Sequence, residues 1–239
     1  MLRAPPKRSA RAPALPSVSR LLRIVVLALL GLILLPYLMT PLYAVMEPVS
    51  TIMIWRRITG QPVKRIYLPI SKISPNLRLA VLVAEDGRFC SHRGVDFAEI
   101  RDAYQDADSL EEMRGGSTIT QQVAKNLFLW PQRSYVRKAL EFPLALWIDL
   151  ILSKRRILEI YLNVAEWGPN GQFGVGAASE YAFGKLPTDL SRYQAALLAA
   201  MLPNPFERSA RRPGPGLRRL AGLYSARMSR APQTAACVR

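Results

Sequence analysis

An uncharged stretch of 23 residues, from Ile24 to Met46, constrains the fold of this chain more than any other feature. About 20 consecutive apolar residues suffice for one helix to cross the hydrocarbon core of a bilayer. Pro36 and Pro41 make the second half of the stretch irregular, and it contains no convincing small-residue cleavage site of a signal peptide. The stretch therefore predicts one uncleaved membrane-spanning helix over residues 24–46.

The basic residues are concentrated at the two ends of the chain. The formal net charge is +16, of which residues 1–23 carry +6, residues 207–239 carry +7 and the stretch between them +3. Because Lys and Arg next to a span remain in the cytoplasm, the first segment is predicted to be cytoplasmic and the rest extracytoplasmic. In a bacterium this means the periplasm or the cell exterior. The nearly balanced middle does not favour nucleic-acid binding, which needs a charged face on the folded domain.

Composition divides the chain into five predicted segments: a basic cytoplasmic tail over residues 1–23, the span over 24–46, a membrane-proximal connector over 47–73, a main domain over 74–206, and a basic C-terminal helix and tail over 207–239. Residues 1–20 are rich in Pro, Arg, Ser and Ala and are predicted to be disordered. The connector mixes apolar residues with four cations, Arg56, Arg57, Lys64 and Arg65. This composition suits either contact with lipid headgroups or an ordinary linker.

The main domain is predicted to be mainly α-helical. Ser74 and Pro75 form a cap and first-turn pair for a helix that ends near Glu85. "GGSTITQQVAKNLFL" begins a second helix, and "RSYVRKALEFPLALWIDLILSKRRILEIYLN" predicts a long helix kinked at Pro143 and another after Ser153. "EYAFGK" and "SRYQAALLAAMLPNP" predict two more. We find no alternating strand pattern of useful length.

One histidine and two cysteines limit the available chemistry. Cys90 and Cys237 can pair in an oxidising compartment, but two distant cysteines do not make a disulfide framework, and we expect two free thiols. These residues also provide no zinc-binding pattern. His92 could form a catalytic triad with Ser117 and Asp96, yet the sequence lacks the G-x-S-x-G elbow. His92 is therefore predicted to order its loop by bonding to backbone or to Asp96.

Glu85 is the first candidate for chemistry, because it lies where the predicted helix gives way to a glycine-containing loop. A carboxylate partly screened from water resists ionisation, which suits a base that works near neutral pH. The alternative is an ordinary helix-end glutamate paired with Arg88 or Arg93. The segment alone does not decide between them.

Two further clusters of polar residues point to an anionic substrate. Free N–H groups at the helix start around Ser117 and Thr118 can bind an anion, although a capped surface helix has the same pattern. Downstream, Arg137 and Lys138 stand four and three residues before Glu141, spacings that are also common on solvated helix faces. Together, two carboxylates and several cations favour a substrate that carries both sugar and phosphate on a lipid.

Five stretches occur in the order and spacing of the peptidoglycan glycosyltransferases: "ISPNLRLAVLVAEDGRFCSHRGVDFAEI", "RGGSTITQQVAKNLFLW", "RSYVRKALEFPLALWIDLILSKRRILEIYLNVAEWG", "GVGAASEYAFGK" and "AALLAAMLPNP". The chain resembles this family, glycosyltransferase family 51, over about residues 40–230. It is similar to the monofunctional members of Gram-negative bacteria, which lack a transpeptidase domain. The resemblance implies a lysozyme-like, two-lobed helical fold.

The resemblance also implies an activity and a set of site residues. The expected reaction polymerises lipid II into β-1,4-linked glycan strands, with inversion and release of undecaprenyl diphosphate, in cell wall biogenesis and the maintenance of cell shape. Glu85 matches the general base and Glu141 the second essential carboxylate. The expected substrate and diphosphate contacts are Ser117, Thr118, Gln122, Lys125, Arg133, Arg137 and Arg101. The residues expected to order the first motif are Asp86, Phe89, His92 and Gly94.

The implied partners are lipid II, the growing glycan chain, membrane phospholipid, and proteins of cell division or elongation. The resemblance requires no cofactor and leaves open a role for Mg²⁺ or Mn²⁺. Two alternatives remain, a membrane-tethered cell-wall hydrolase with a similar fold and a non-catalytic basic scaffold. A hydrolase needs one acid and no cationic site for a diphosphate. The cations around Glu141 therefore favour a glycosyltransferase over a hydrolase.

Overall fold

A computed structural model describes residues 18–105, 117–132 and 134–239. Residues 1–17, most of the segment predicted to be disordered, lie outside the described residues, and so do Gly115, Gly116 and Arg133. Within the described ranges the chain forms ten α-helices and two strands of two residues each. This agrees with the predicted fold class, a mainly α-helical domain behind one apolar N-terminal helix.

The α-helices are α1 (Val18–Leu42), α2 (Thr51–Ile58), α3 (Pro75–Glu85), α4 (Phe97–Gln105), α5 (Ile119–Phe128), α6 (Tyr135–Ile151), α7 (Lys154–Val164), α8 (Gly174–Phe183), α9 (Arg192–Met201) and α10 (Pro215–Arg230). Short 3₁₀ helices cover Ile70–Lys72, Pro187–Asp189 and Pro232–Val238. Strands β1 (Lys64–Arg65) and β2 (Gln172–Phe173) pair in parallel, with Lys64 opposite Gln172.

Helix α1 contains a stretch from Arg20 to Leu42 that is long and apolar enough to cross a membrane. None of its most apolar window is buried by protein, as expected for a helix that is hydrophobic on all sides and faces lipid. The helix starts before the predicted residue 24 and continues through Pro36. Residues 18–36 form one unit and residues 37–239 form a second, compact unit.

Local capping fixes where the helices of the second unit begin. Six of them start after a Ser or Thr whose hydroxyl accepts the backbone N–H three residues later: Ser50, Ser74, Thr118, Ser134, Ser153 and Ser191. Each cap contributes about 1 kcal/mol to helix stability. The predicted helix starts at Ser74 and after Ser153 are confirmed.

Two groups of helices make up the core of residues 37–239. Helix α3 packs against α9 and α10, while α5 packs against α6 and α7. The connector belongs to the same packing, since α2 lies on α5 and the Thr51 hydroxyl donates to the carbonyl of Leu129 at 2.6 Å. Arg56 in this connector is buried and paired with Glu166, whereas Arg57 and Lys64 are exposed. The connector is therefore more than a linker.

Helix α6 continues through Pro143, whose ring lies on an exposed face. The prediction of one long helix followed by a second after Ser153 is therefore confirmed. Proline inside a helix removes one backbone hydrogen bond, and this loss is tolerated more easily on a solvent-exposed side than in the core.

The prediction of two free thiols is wrong. Cys90 and Cys237 form a disulfide whose Cα atoms are 5.6 Å apart. Arg78 Nη1 and Arg155 Nη1 also donate to the carbonyl of Val238, at 2.9 and 3.3 Å. The C-terminal 3₁₀ helix is thus fastened beside α3 and α7. Sequence reasoning missed the pair because 147 residues separate the two cysteines and only the tertiary fold brings them together.

Candidate active site

Glu85 is the last residue of α3, and its half-buried side chain points toward α5. Its Oε2 atom accepts a hydrogen bond from Gln122 Nε2 at 2.9 Å. The Tyr161 hydroxyl of α7 donates to Gln122 Oε1 at 3.2 Å. Arg88, one alternative partner considered for Glu85, pairs with Asp96 instead. Glu85 is therefore held by a neutral amide and not by a direct ion pair with Arg88.

Burial raises the pKa of Glu85 above its ordinary value. The hydrogen bond from Gln122 and the positive charges of Lys125 and Arg208 act in the opposite direction, while the neighbouring charge of Asp86 raises the pKa further. A carboxylate with this balance of forces can accept a proton closer to neutral pH than a solvated one.

The loop after Glu85 is tied to the start of α5 through Asp86. The Asp86 carboxylate is buried, lies 3.0 and 3.1 Å from His92 Nε2, and accepts the backbone N–H of Ile119 at 2.9 Å. The prediction that His92 bonds backbone or Asp96 is therefore corrected, because its partner is Asp86. Asp96 instead accepts Arg88 Nε at 2.8 Å and caps α4 through the Glu99 N–H.

The backbone N–H groups at the start of α5, which were predicted to bind an anion, already donate to other groups of the protein. Thr118 is buried, its hydroxyl donates to the Gly94 carbonyl at 2.6 Å, and its N–H donates to Gln121 Oε1 at 3.0 Å. The N–H of the next residue, Ile119, donates to the Asp86 carboxylate. These contacts do not support the predicted contact of Thr118 with a phosphate. Ser117 is only half-buried, and its Oγ accepts a hydrogen bond from Lys138 Nζ at 2.8 Å.

Glu141 on α6 lies between two cations. Its buried carboxylate accepts Arg137 Nη1 on one oxygen and Lys138 Nζ at 3.1 Å on the other. Arg137 Nε donates in addition to the carbonyl of Gln132 at 2.9 Å. The ion pairs predicted from the spacing of these residues are confirmed. With two cations on one carboxylate, this cluster keeps an excess of positive charge.

Lys125 links the two carboxylates. It lies on α5 one turn after Gln122, and burial lowers the pKa of its ammonium group. The negative charges of both Glu141 and Glu85 oppose this shift, so the ammonium senses both carboxylates. Within the described part of the chain, Lys125 forms no direct ion pair.

Three further predicted site residues are Phe89, Arg101 and Arg133. Phe89 is fully buried, packs edge-on against His92 and lies under the Lys154 ammonium, and so it supports the loop. Its motif-ordering role stays a prediction. Arg101 is exposed on α4, with no hydrogen bond or ion pair to the other site residues in the described ranges. Arg133 lies outside the described residues.

Two residues near Glu85 were missed from the sequence. Tyr161 lies on the buried face of a helix, where a tyrosine is usually part of the core. Arg208 follows α9 in an irregular segment, far from Glu85 along the chain, and only the fold brings its charge near that carboxylate. Neither residue carries a local signal in the sequence.

The residues around Glu141 fit an anion better than a resident metal ion. Mg²⁺ and Mn²⁺ prefer oxygen ligands, but both oxygens of Glu141 already face cations. No group of three or more His, Cys, Asp or Glu side chains in the described residues is placed to hold a metal. A role for a divalent cation stays an untested prediction.

A half-buried carboxylate and a cluster of fixed cations suit a transferase whose leaving group is anionic. Comparison with known proteins agrees. Residues 52–225 match the family model described as "Transglycosylase". The chain therefore belongs to the transglycosylase family.

Several curated relatives of high identity carry the name "Biosynthetic peptidoglycan transglycosylase". The protein of Nitrobacter winogradskyi is 59% identical over 91% of this chain and 96% of its own length. That of Rhodopseudomonas palustris is 58% identical over 94% of each chain, and that of Agrobacterium fabrum 48% identical over 90% and 95%. The peptidoglycan glycosyltransferase class predicted from the motifs is confirmed, and with it the expected fold class.

Gly94 and Gly87 provide a matched test of the loop that carries Asp86 and His92. Gly94 has a φ of +80°, and a Cβ atom there would lie 2.4 Å from the carbonyl oxygen of Ala145. We expect Gly94→Ala to lower the free energy of unfolding by roughly 2 kcal/mol or more, because a positive φ alone costs an L residue about 1–2 kcal/mol. Gly87 has open space around it, so Gly87→Ala should change stability by less than about 1 kcal/mol. Denaturant unfolding measures both, and equal losses would contradict the close approach.

Proposed function

We propose that this chain polymerises lipid II, joining its disaccharide units through β-1,4 bonds and releasing undecaprenyl diphosphate. One observation carries the proposal: Glu85 is hydrogen-bonded to Gln122 on α5, and Lys138, one of the two cations on Glu141, is hydrogen-bonded to Ser117 just before the same helix. A base for the acceptor and a positive cluster for the leaving group therefore face one region.

In the proposed reaction, Glu85 takes the proton of the 4-hydroxyl of the acceptor GlcNAc. The freed oxygen forms a bond to the anomeric carbon of the donor MurNAc as the bond from that carbon to the diphosphate oxygen breaks. Displacing an α-linked diphosphate in one step gives the β configuration. The raised pKa of Glu85 supports this role, since a general base works best when its pKa lies near the operating pH.

The departing diphosphate gains negative charge, and Lys125, Arg137 and Lys138 supply fixed positive charge for it. Glu141 and Ser117 hold two of these cations in place before the reaction, so little reorganisation is needed as charge develops. Charge-assisted hydrogen bonds from guanidinium and ammonium groups to phosphate are strong. We assign Arg133, which directly precedes this cluster in the sequence, and the exposed Arg101 to outer contacts with the same substrate.

The domain is proposed to lie on the outer side of the bacterial inner membrane. The basic residues ahead of α1 favour a cytoplasmic N-terminus. The disulfide fits an oxidising compartment such as the periplasm. In the connector, Ile54, Trp55 and Ile58 of α2 are exposed beside Arg57, a combination suited to contact with anionic phospholipid.

Glu85→Gln tests the catalytic proposal. The full chain with labelled lipid II should form glycan polymer and release undecaprenyl diphosphate. The variant should bind lipid II but polymerise it roughly 10² to 10⁴ times more slowly, because the amide cannot accept the proton. Glu180→Gln makes the same chemical change at an exposed position of α8 and should leave the rate unchanged.

Product analysis separates the alternatives in the same experiment. Cleaved glycan without polymer would show that the protein is a hydrolase. A wild-type protein without any turnover would support the non-catalytic scaffold. Unchanged polymerisation by Glu85→Gln would refute the assigned base. Repeating the assay with a chelator determines whether Mg²⁺ or Mn²⁺ takes part.

The disulfide tests the proposed location. In intact cells, Cys90 and Cys237 should resist thiol alkylation until a reductant is added, because both sulfurs are bonded in the periplasm. Cys237→Ser should lower the free energy of unfolding by about 2–5 kcal/mol. Cys90→Ser serves as the matched control and should cost the same, with no further loss in the double variant. Two freely alkylated thiols in untreated cells would contradict the disulfide and remove its support for an extracytoplasmic domain.

A further inference from the structure

We propose that Tyr161 is a positioning residue for the general base, because its hydroxyl fixes the Gln122 amide so that the amide N–H is held against Glu85. This inference rests on the proposed function, in which Glu85 takes the acceptor proton. Tyr161 does not need to touch the substrate. It acts through Gln122 alone.

Two hydrogen bonds in series connect three helices, α7, α5 and α3. Tyr161 on α7 is 1% exposed and donates from its hydroxyl to Gln122 Oε1 at 3.2 Å. Gln122 on α5 then directs Nε2 to Glu85 Oε2 at 2.9 Å. A glutamine amide has an acceptor end and a donor end, so fixing the oxygen also fixes the nitrogen. With Oε1 occupied by the phenol, only N–H remains for the carboxylate.

The opposite orientation of the amide is unfavourable while Glu85 is ionised. It would place Gln122 Oε1 against a carboxylate oxygen, so that two acceptors would meet without a proton between them. A buried polar group without a partner costs about 1–3 kcal/mol. In the opposite orientation the Tyr161 hydroxyl could accept from Nε2, but its own proton would lose the Gln122 oxygen. The hydroxyl therefore adds to the preference for the orientation that stabilises the charged, proton-accepting form of Glu85.

Tyr161 keeps its proton throughout the working range of pH. Burial raises the pKa of its hydroxyl well above the ordinary value, and the negative charges of Glu85 and Asp86 add to this effect. A neutral phenol is a donor at every pH at which the enzyme can be assayed. The hydroxyl is thus a permanent part of the site and does not act as an acid or base in it.

Several charged or titratable groups act on Glu85 in addition to the hydrogen-bonded pair of Tyr161 and Gln122. They come from the adjoining loop, from α5, from the segment after α9 and from α10, and they are Asp86, Lys125, Arg208 and Tyr224. None of them is altered when only the Gln122 amide turns. A change in the titration of Glu85 caused by a turned amide can therefore be recognised against a constant background.

The sign of the pH effect follows from the role of the base. Glu85 must be ionised to accept a proton, so activity falls as the pH decreases through its pKa. The hydrogen bond from Gln122 lowers that pKa against the effect of burial. Loss of the hydrogen bond from Gln122 should raise the pKa of Glu85. The activity should then begin to fall at a higher pH than in the wild type.

Tyr161→Phe tests the inference in the full chain with lipid II as the probe. The midpoint of the acidic limb of the rate profile should move up by roughly 0.4 to 1 pH unit, the equivalent of one hydrogen bond. The kcat at pH 6 should fall more than KM changes. Tyr67→Phe is the matched control. It removes a partly buried hydroxyl that donates to Glu159 at 2.9 Å and takes no part in the hydrogen bonds from Tyr161 to Glu85. Its acidic limb should stay in place, and an unshifted limb in Tyr161→Phe would overturn the inference.

A double variant shows whether Tyr161 acts through Gln122. Gln122→Leu should shift the acidic limb by itself, and adding Tyr161→Phe to it should produce no further shift. Equal shifts in both backgrounds would mean that the tyrosine acts independently of the amide, which contradicts the inference. A wild-type chain without polymerase activity would instead refute the proposed function, and the two failures are therefore distinct.

A second measurement covers the case in which Tyr161→Phe does not fold. In the wild-type chain with ¹⁵N-labelled glutamine side chains, the Gln122 amide signal should titrate with the same midpoint as the acidic limb. That titration should vanish in Glu85→Gln. An amide signal that shows no titration in the wild type would overturn the inference.

Discussion

The hydrogen bonds of the Asp86 carboxylate hold the site together. This buried group joins the loop after α3 to the first turn of α5, by accepting the Ile119 N–H and contacting His92. A buried carboxylate is stable only when its oxygens have such partners. With the end of α3 fixed to the start of α5, Glu85 necessarily faces Gln122 and Lys125, which lie one and two turns along α5. Gly94 allows the close packing of the same loop on α6.

The two glutamates differ in role because their surroundings differ. Glu85 is half-buried, bonded to one neutral amide and only remotely balanced by positive charge, so its charged form is weakly supported. Glu141 has an arginine and a lysine in direct contact. The first is suited to take up a proton, while the second is suited to hold cations in fixed positions. Different environments for two carboxylates are a general way in which enzymes separate such roles.

The features that sequence predicted well are local ones. The serine caps at Ser74 and Ser153 and the Arg137–Glu141 pair depend on residues within one helical turn, and spacing alone reveals them. The family motifs then identified the class of reaction. The positions of both glutamates on helix ends or faces followed from the same local patterns.

The features that sequence missed depend on distant parts of the chain. The Cys90–Cys237 bond, the approach of Arg208 to Glu85 and the contact of Tyr161 with Gln122 each need the tertiary fold. The hydrogen-bond partners at the start of α5 were missed for a different reason. A free helix start and one filled by a neighbouring carboxylate have the same local sequence, so the pattern could not show that Asp86 occupies this position.

The central claim is that one substrate is held between a proton acceptor at Glu85 and the cations around Glu141. A structure of the full chain bound to two lipid II molecules, with Glu85→Gln to prevent turnover, tests this most directly. The account predicts the donor diphosphate in contact with Lys125 and Arg137, and the acceptor 4-hydroxyl within hydrogen-bond distance of residue 85. A diphosphate bound away from these cations, with residue 85 remote from either sugar, would contradict it.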